Sequence, residues 1–120
     1  MKQNVVKQKS FEFAIRIVKL YQFLKENKQE YILSKQLLRS GTSVGAMVRE
    51  AEHSESKADL VHKLSIGQKE INESIYWLEL LYATEYLTID QFESMNKDAT
   101  EILKLLTSIL KSSKSNPKNQ

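Results

Sequence analysis

The sequence predicts an all-α chain, an antiparallel up-down four-helix bundle, on three observations. Three Gly and one Pro in 120 residues are too few breakers for strands joined by tight turns. Four segments carry apolar residues three and four apart, the spacing of one helical face. The connections between them are short, which makes successive helices antiparallel neighbours. A chain of this length forms one domain with a substantial core.

The first helix is expected from Ser10 to Asn27, with Ser10 as its N-cap, after a flexible basic segment over residues 1–9. Its polar residues Glu12, Arg16, Lys19, Gln22 and Glu26 form one narrow stripe. Apolar residues cover the rest of its circumference, more than one core needs. The excess predicts burial on two sides, one of them against a neighbouring subunit, with Phe11, Phe13, Ile17, Leu20, Phe23 and Leu24 as interface candidates.

The second helix is expected from Ser34 to His53. It contains Ser40-Gly41-Thr42-Ser43-Val44-Gly45-Ala46, with two glycines four apart on one face. Each Gly costs about 1 kcal/mol against Ala in a helix interior, which a close helix approach or a local bend can offset. A phosphate-binding loop is the sharper alternative, but the Gly-Lys-Ser/Thr ending and the preceding strand it needs are missing.

The third helix, Lys57 to Glu85, carries Val61, Leu64, Gln68, Ile71, Ile75, Leu78 and Tyr82 at core spacing. Trp77 and Tyr82 read as packing residues. The fourth, Ile89 to Lys111, opens on a capping box, Thr88 with Gln91. It buries Phe92, Met95, Ala99, Ile102, Leu106 and Ile109. Residues 112–120 read as a disordered tail.

No cysteine is present, which excludes disulfides and thiolate chemistry and fits a reducing cytoplasm. No segment approaches the ~20 apolar residues of a membrane span, so no membrane role is expected. The serines of the second helix have no activating base nearby and should bond back to helix carbonyls. One metal constellation deserves weighing: Glu50 with His53 and Asp59 with His62, two carboxylate–imidazole pairs at i, i+3. Both flank a connection where polar residues are expected anyway, and the other helices offer no convincing glutamates to complete a site. The expectation is a non-enzymatic protein without metal or cofactor.

Charge is divided along the chain. The net is +3, but residues 1–49 carry +7 and residues 50–110 carry −7. The first half either attracts the second, within or between subunits, or offers cations to a phosphate backbone. For the latter the candidates are Arg16, Lys19, Lys35, Arg39 and Arg49.

The run Gln36-Leu37-Leu38-Arg39-Ser40-Gly41-Thr42-Ser43-Val44-Gly45-Ala46, continuing to Glu50-Ala51, carries a family likeness. So do Ile66-Gly67-Gln68-Lys69-Glu70-Ile71-Asn72-Glu73-Ser74-Ile75-Tyr76-Trp77-Leu78-Glu79-Leu80 and the opening Lys9-Ser10-Phe11-Glu12-Phe13-Ala14. Together they resemble the bacterial 23S rRNA intervening-sequence proteins. The resemblance implies a left-handed up-down bundle that assembles into a ring, usually a homopentamer. That family is similar to the accessory proteins of diversity-generating retroelements, which implies RNA, DNA or a nucleic-acid-processing protein as partner. The contrasting expectation is a protein–protein adaptor with no nucleic-acid role. No catalytic residue carries over.

Overall fold

The structure, a computed structural model, describes residues 2–114. Among them are four helices and no strand: α1 (Lys2–Lys28), α2 (Leu33–Ala51), α3 (Lys57–Ala83) and α4 (Ile89–Lys114). The body measures 51 × 22 × 19 Å. Side-chain pairing shows each neighbouring pair to be antiparallel. Lys9 meets Glu101 and Arg16 meets Asp98 across α1 and α4. Lys7 meets Glu52 across the ends of α1 and α2, and Arg39 and Glu50 of α2 meet Glu70 and Lys63 of α3. Gln68 bonds Thr107 between α3 and α4. Sequential helices pack together and α4 closes on α1, whereas the diagonal pairs keep their Cα atoms more than 8 Å apart.

The core is one seam of residues alternating three and four apart. From α1 come Val6, Phe13, Ile17 and Leu24, and from α2 Leu37, Val44, Val48 and Ala51. Leu64, Ile71, Leu78 and Leu81 of α3 face Met95, Ala99, Ile102, Leu106 and Ile109 of α4. The expected core stripe of α4 is buried except for Phe92, which is only half-buried.

Helix ends differ from the expectation in instructive ways. The first helix begins at Lys2, so residues 2–9 are helical and not a flexible arm. Val6 and Ser10 extend the core spacing backward, and both are fully buried. Ser10 is therefore an interior residue, not an N-cap; its hydroxyl donates to the Lys7 carbonyl at 3.2 Å. The second helix ends at Ala51 and the third at Ala83, each two residues early. Residues 112–114 belong to α4, and the remainder of the expected disordered tail, 115–120, lies outside the described residues.

Each connection has its own closure. Thr88 and Gln91 form the expected reciprocal box, with N–H···O distances of 2.9 and 3.2 Å. Ser56 caps α3 by accepting the Asp59 amide at 3.0 Å. The end of α3 is a Schellman turn: the Tyr86 amide donates to Leu81 and the Glu85 amide to Tyr82, with Glu85 in the left-handed region at φ 70°. At the start of α2 the N-cap residue is Ile32, which has no capping side chain. The Glu30 carboxylate substitutes for it. It accepts the amides of Ile32, Leu33 and Ser34 at 3.2, 3.0 and 2.7 Å. Burial pushes the Glu30 carboxyl up, but these backbone hydrogen bonds and the Ser34 hydroxyl outweigh it, leaving it below its ordinary value.

Candidate functional site

The small residues of α2 are packing devices. A Cβ on Gly45 would lie 3.4 Å from the Ser10 carbonyl oxygen, so the α1 backbone passes directly over it. A Cβ on Gly41 would stand 2.7 Å from Ile17, inside contact distance. Of the two offsets considered for these glycines, close approach is the one the structure uses. The hydroxyls are engaged as well. Thr42 donates to Leu38 at 2.7 Å and Ser43 to Arg39 at 2.6 Å. Ser40 and Ser74, both fully buried, lie 2.9 Å apart and bridge α2 to α3. Among the described residues their hydroxyl hydrogen bonds go to backbone carbonyls and to each other.

The metal candidates do not converge. Among the described residues no group of three His, Cys, Asp or Glu could hold an ion. Because α2 stops at Ala51, His53 sits in a turn beyond the helix, its amide donating to the Glu50 carbonyl at 3.1 Å. Glu50 instead accepts Lys63 at 3.2 Å. Asp59 accepts the Glu55 amide at 3.3 Å, and His62 is exposed on α3.

The five cations proposed for nucleic acid divide into two groups. Arg16 reaches α4, where its guanidinium bonds Asp98 and the Ser94 hydroxyl and carbonyl. Arg39 reaches α3 and holds both Glu70 and Glu73. The Trp77 indole also donates to Glu73, at 2.9 Å. The indole bond first, and then Arg39, lower the Glu73 carboxyl, and Glu73 in turn raises Arg39. With Lys7–Glu52 and Lys9–Glu101, four cations of the basic half are paired to the acidic half. These four pairs use part of the divided charge for attraction between helices of the same chain. Among the described residues Lys19 and Lys35 are exposed and enter no salt bridge; Arg49 enters none either and stacks over Phe11, 5.1 Å from the ring centroid. Lys25 and Lys28, in the last turn of α1, are also outside any salt bridge among the described residues; a polar helix end carries no sequence signal that singles them out.

The apolar excess of α1 resolves into two faces. Phe13, Ile17 and Leu24, expected at a subunit interface, are fully buried in the chain's own core. Leu20 and Phe23 are half-buried against it. The outward face instead carries Phe11, Ile15 and Val18, 51%, 42% and 39% exposed and spaced four and three apart. Ile15 and Val18 were missing from the interface candidates because composition shows the excess without its direction. Trp77 packs against the core, whereas Tyr82, expected in the core seam of α3, is exposed and stacks on Phe92 with ring centroids 5.0 Å apart. Among the described residues no helix is long and apolar enough to cross a membrane.

Comparison with known proteins places these features in a family. No curated protein matches the chain. A solved structure from Bacteroides thetaiotaomicron VPI-5482, described as a protein of unknown function from the S23 ribosomal protein family, is 61% identical. It covers 92% of this chain and 99% of its own, with a TM-score of 0.92. The 23S rRNA-intervening sequence protein family matches residues 2–108, so the chain belongs to that family, as the motifs of α2 and α3 implied.

Proposed function

We propose that the chain is a non-enzymatic, self-associating scaffold whose α1 outer face joins copies into a ring, five by the family resemblance. The observation that carries this is the stripe of Phe11, Ile15 and Val18 on the outward side of a helix whose inner side already fills the core. A bundle needs one apolar face per helix, and a second contiguous face marks an interaction surface. Aspartate at Ile15, at the centre of the stripe and outside the core, tests it. The variant should remain helical and drop to a single chain in light scattering. An Ile15→Asp protein that keeps the parent's mass would remove the stripe from the interface.

A second reading, binding of RNA or DNA, is favoured by one specific observation. Lys19, Lys25 and Lys28 of α1 and Lys35 and Arg49 of α2 remain outside salt bridges among the described residues, although Arg16 and Arg39 do not. Titration of labelled RNA and duplex DNA decides it, because phosphate-driven binding weakens steeply as salt rises. Absence of binding at low salt leaves the adaptor role, with a protein partner only.

A further inference from the structure

The two ends of the bundle are not alike. At the end formed by the α1 N-terminus and the α2–α3 connection, the charges are matched: Lys7 with Glu52 and Lys63 with Glu50. The opposite end gathers the α1–α2 and α3–α4 connections. There the exposed apolar side chains Tyr31, Ile32, Tyr82 and Ile89 are 50%, 75%, 38% and 45% accessible. Its charges are biased between two halves. Lys25, Lys28 and Lys35 outnumber the exposed Glu26 on the α1–α2 half, and Glu85, Asp90 and Glu93 lie on the α3–α4 half. None of the seven takes part in a salt bridge among the described residues. Lys28, Glu85, Tyr82 and Ile89 line one open cleft there.

The loop that carries Ile32 is held firmly. Position 32 is the N-cap of α2, where Ser, Thr, Asp or Asn is favoured. Glu30 performs the capping from two residues back, and its amide bonds the Leu24 carbonyl at 3.0 Å. Position 32 is thereby free to hold an apolar side chain in solvent at a fixed place.

We propose that this end is a self-complementary docking face for the same end of a second copy. A two-fold axis across the end sets the lysine half of one chain on the carboxylate half of the other. The same operation brings Tyr31 and Ile32 toward Tyr82 and Ile89 of the facing copy. Isologous contact of this kind requires both charge signs on one patch, which a face for nucleic acid does not. An end of 22 × 19 Å offers roughly 400 Å² per copy, about half of what a standard stable interface buries on each side. A single contact is therefore weak and concentration-dependent. It strengthens where several copies present their ends together, since linked contacts act with a high effective concentration.

The test uses charge reversal in an Ile15→Asp background, which removes association through the α1 stripe and keeps the two proposals separate. One variant carries Lys28→Glu and Lys35→Glu, the other Glu85→Lys and Asp90→Lys, and circular dichroism checks that each is helical. In sedimentation equilibrium at low salt, the background protein should rise toward twice the single-chain mass as concentration increases. Each variant alone should stay at the single-chain mass, because the charge of its end is now predominantly of one sign. An equimolar mixture of the two should recover the doubling, and added salt should abolish it. Ile32→Asp should weaken the association of the background protein as well. A background protein that stays monomeric at the highest concentration overturns the proposal. So does either variant associating as the background does, or a mixture that fails to recover.

Discussion

Substitution of the three glycines by alanine separates close packing from helix propensity within one chain. Each Gly lies in a helix interior, so alanine brings up to about 1 kcal/mol of stabilisation if its Cβ is accommodated. At Gly67 the nearest atoms would be Met47 Cβ, Leu106 Cδ1 and the Val44 carbonyl oxygen, at 3.7, 3.8 and 3.9 Å. These are ordinary contacts, and Gly67→Ala should gain about 0.5 to 1 kcal/mol. At Gly45 the Ser10 backbone stands at 3.4 to 3.5 Å, at the edge of comfortable contact, so Gly45→Ala should be near neutral. At Gly41 the new Cβ would be 2.7 Å from Ile17 Cγ1 and 3.0 Å from Cδ1 and Cγ2. Ile17 is fully buried and β-branched, with one favoured χ1 rotamer in a helix, so it cannot swing aside. Helix α1 must shift, and overpacking of this kind costs about 1 to 3 kcal/mol. The propensity gain offsets part of that, leaving Gly41→Ala destabilised by roughly 1 to 2 kcal/mol. Urea unfolding followed by circular dichroism measures all three. Repeating Gly41→Ala in an Ile17→Ala background removes the obstructing atoms and should turn the effect stabilising. A Gly41→Ala protein as stable as Gly67→Ala would refute the close-approach account of α1 on α2.

Two further substitutions probe the helix ends. Glu30→Ala removes the carboxylate that satisfies three amides of α2 and should cost about 1 to 2 kcal/mol at neutral pH, measured by urea midpoint. Because the folded-state Glu30 carboxyl is held below its ordinary value, its contribution is complete above the unfolded pKa and declines as pH falls toward the folded one. The difference between wild type and Glu30→Gln should therefore shrink on acidification below about pH 4.5, and a pH-independent difference would contradict the capping role. Glu85→Gly relieves a left-handed non-glycine residue at the end of α3, where glycine is the usual occupant. It should raise the thermal midpoint, with a gain of up to about 1 kcal/mol, and a lowered midpoint would mean that the Glu85 side chain contributes more than its backbone costs.

Much of this architecture is legible from spacing. The three-and-four pattern located all four helices, and Thr88 with Gln91 identified the start of α4 because a capping box is a local sequence signal. The start of α1 was not legible: Lys2, Gln3 and Asn4 conceal a helical turn whose evidence is chiefly Val6, and only the packed bundle shows that Val6 is buried. The cap of α2 was missed because Glu30 acts from outside the helix, a role no fixed offset announces. The surfaces were the least legible. The sequence shows that Arg16 and Arg39 are cations, but their carboxylate partners lie 82 and 31 residues away, across the bundle. The same limit applied to α1, where an excess of apolar residues was visible and its division into Phe13 inside and Phe11 outside was not.

The central claim is that the outer face of α1 is covered by another copy. The most direct measurement is the absolute mass of the unmodified chain in solution, by light scattering on a size-exclusion column at micromolar concentration. The expected result is a discrete assembly several times the 13.9 kDa chain mass, about 70 kDa for a closed ring of five. A single species at 13.9 kDa would contradict it, leaving Phe11, Ile15 and Val18 as a surface for a different protein.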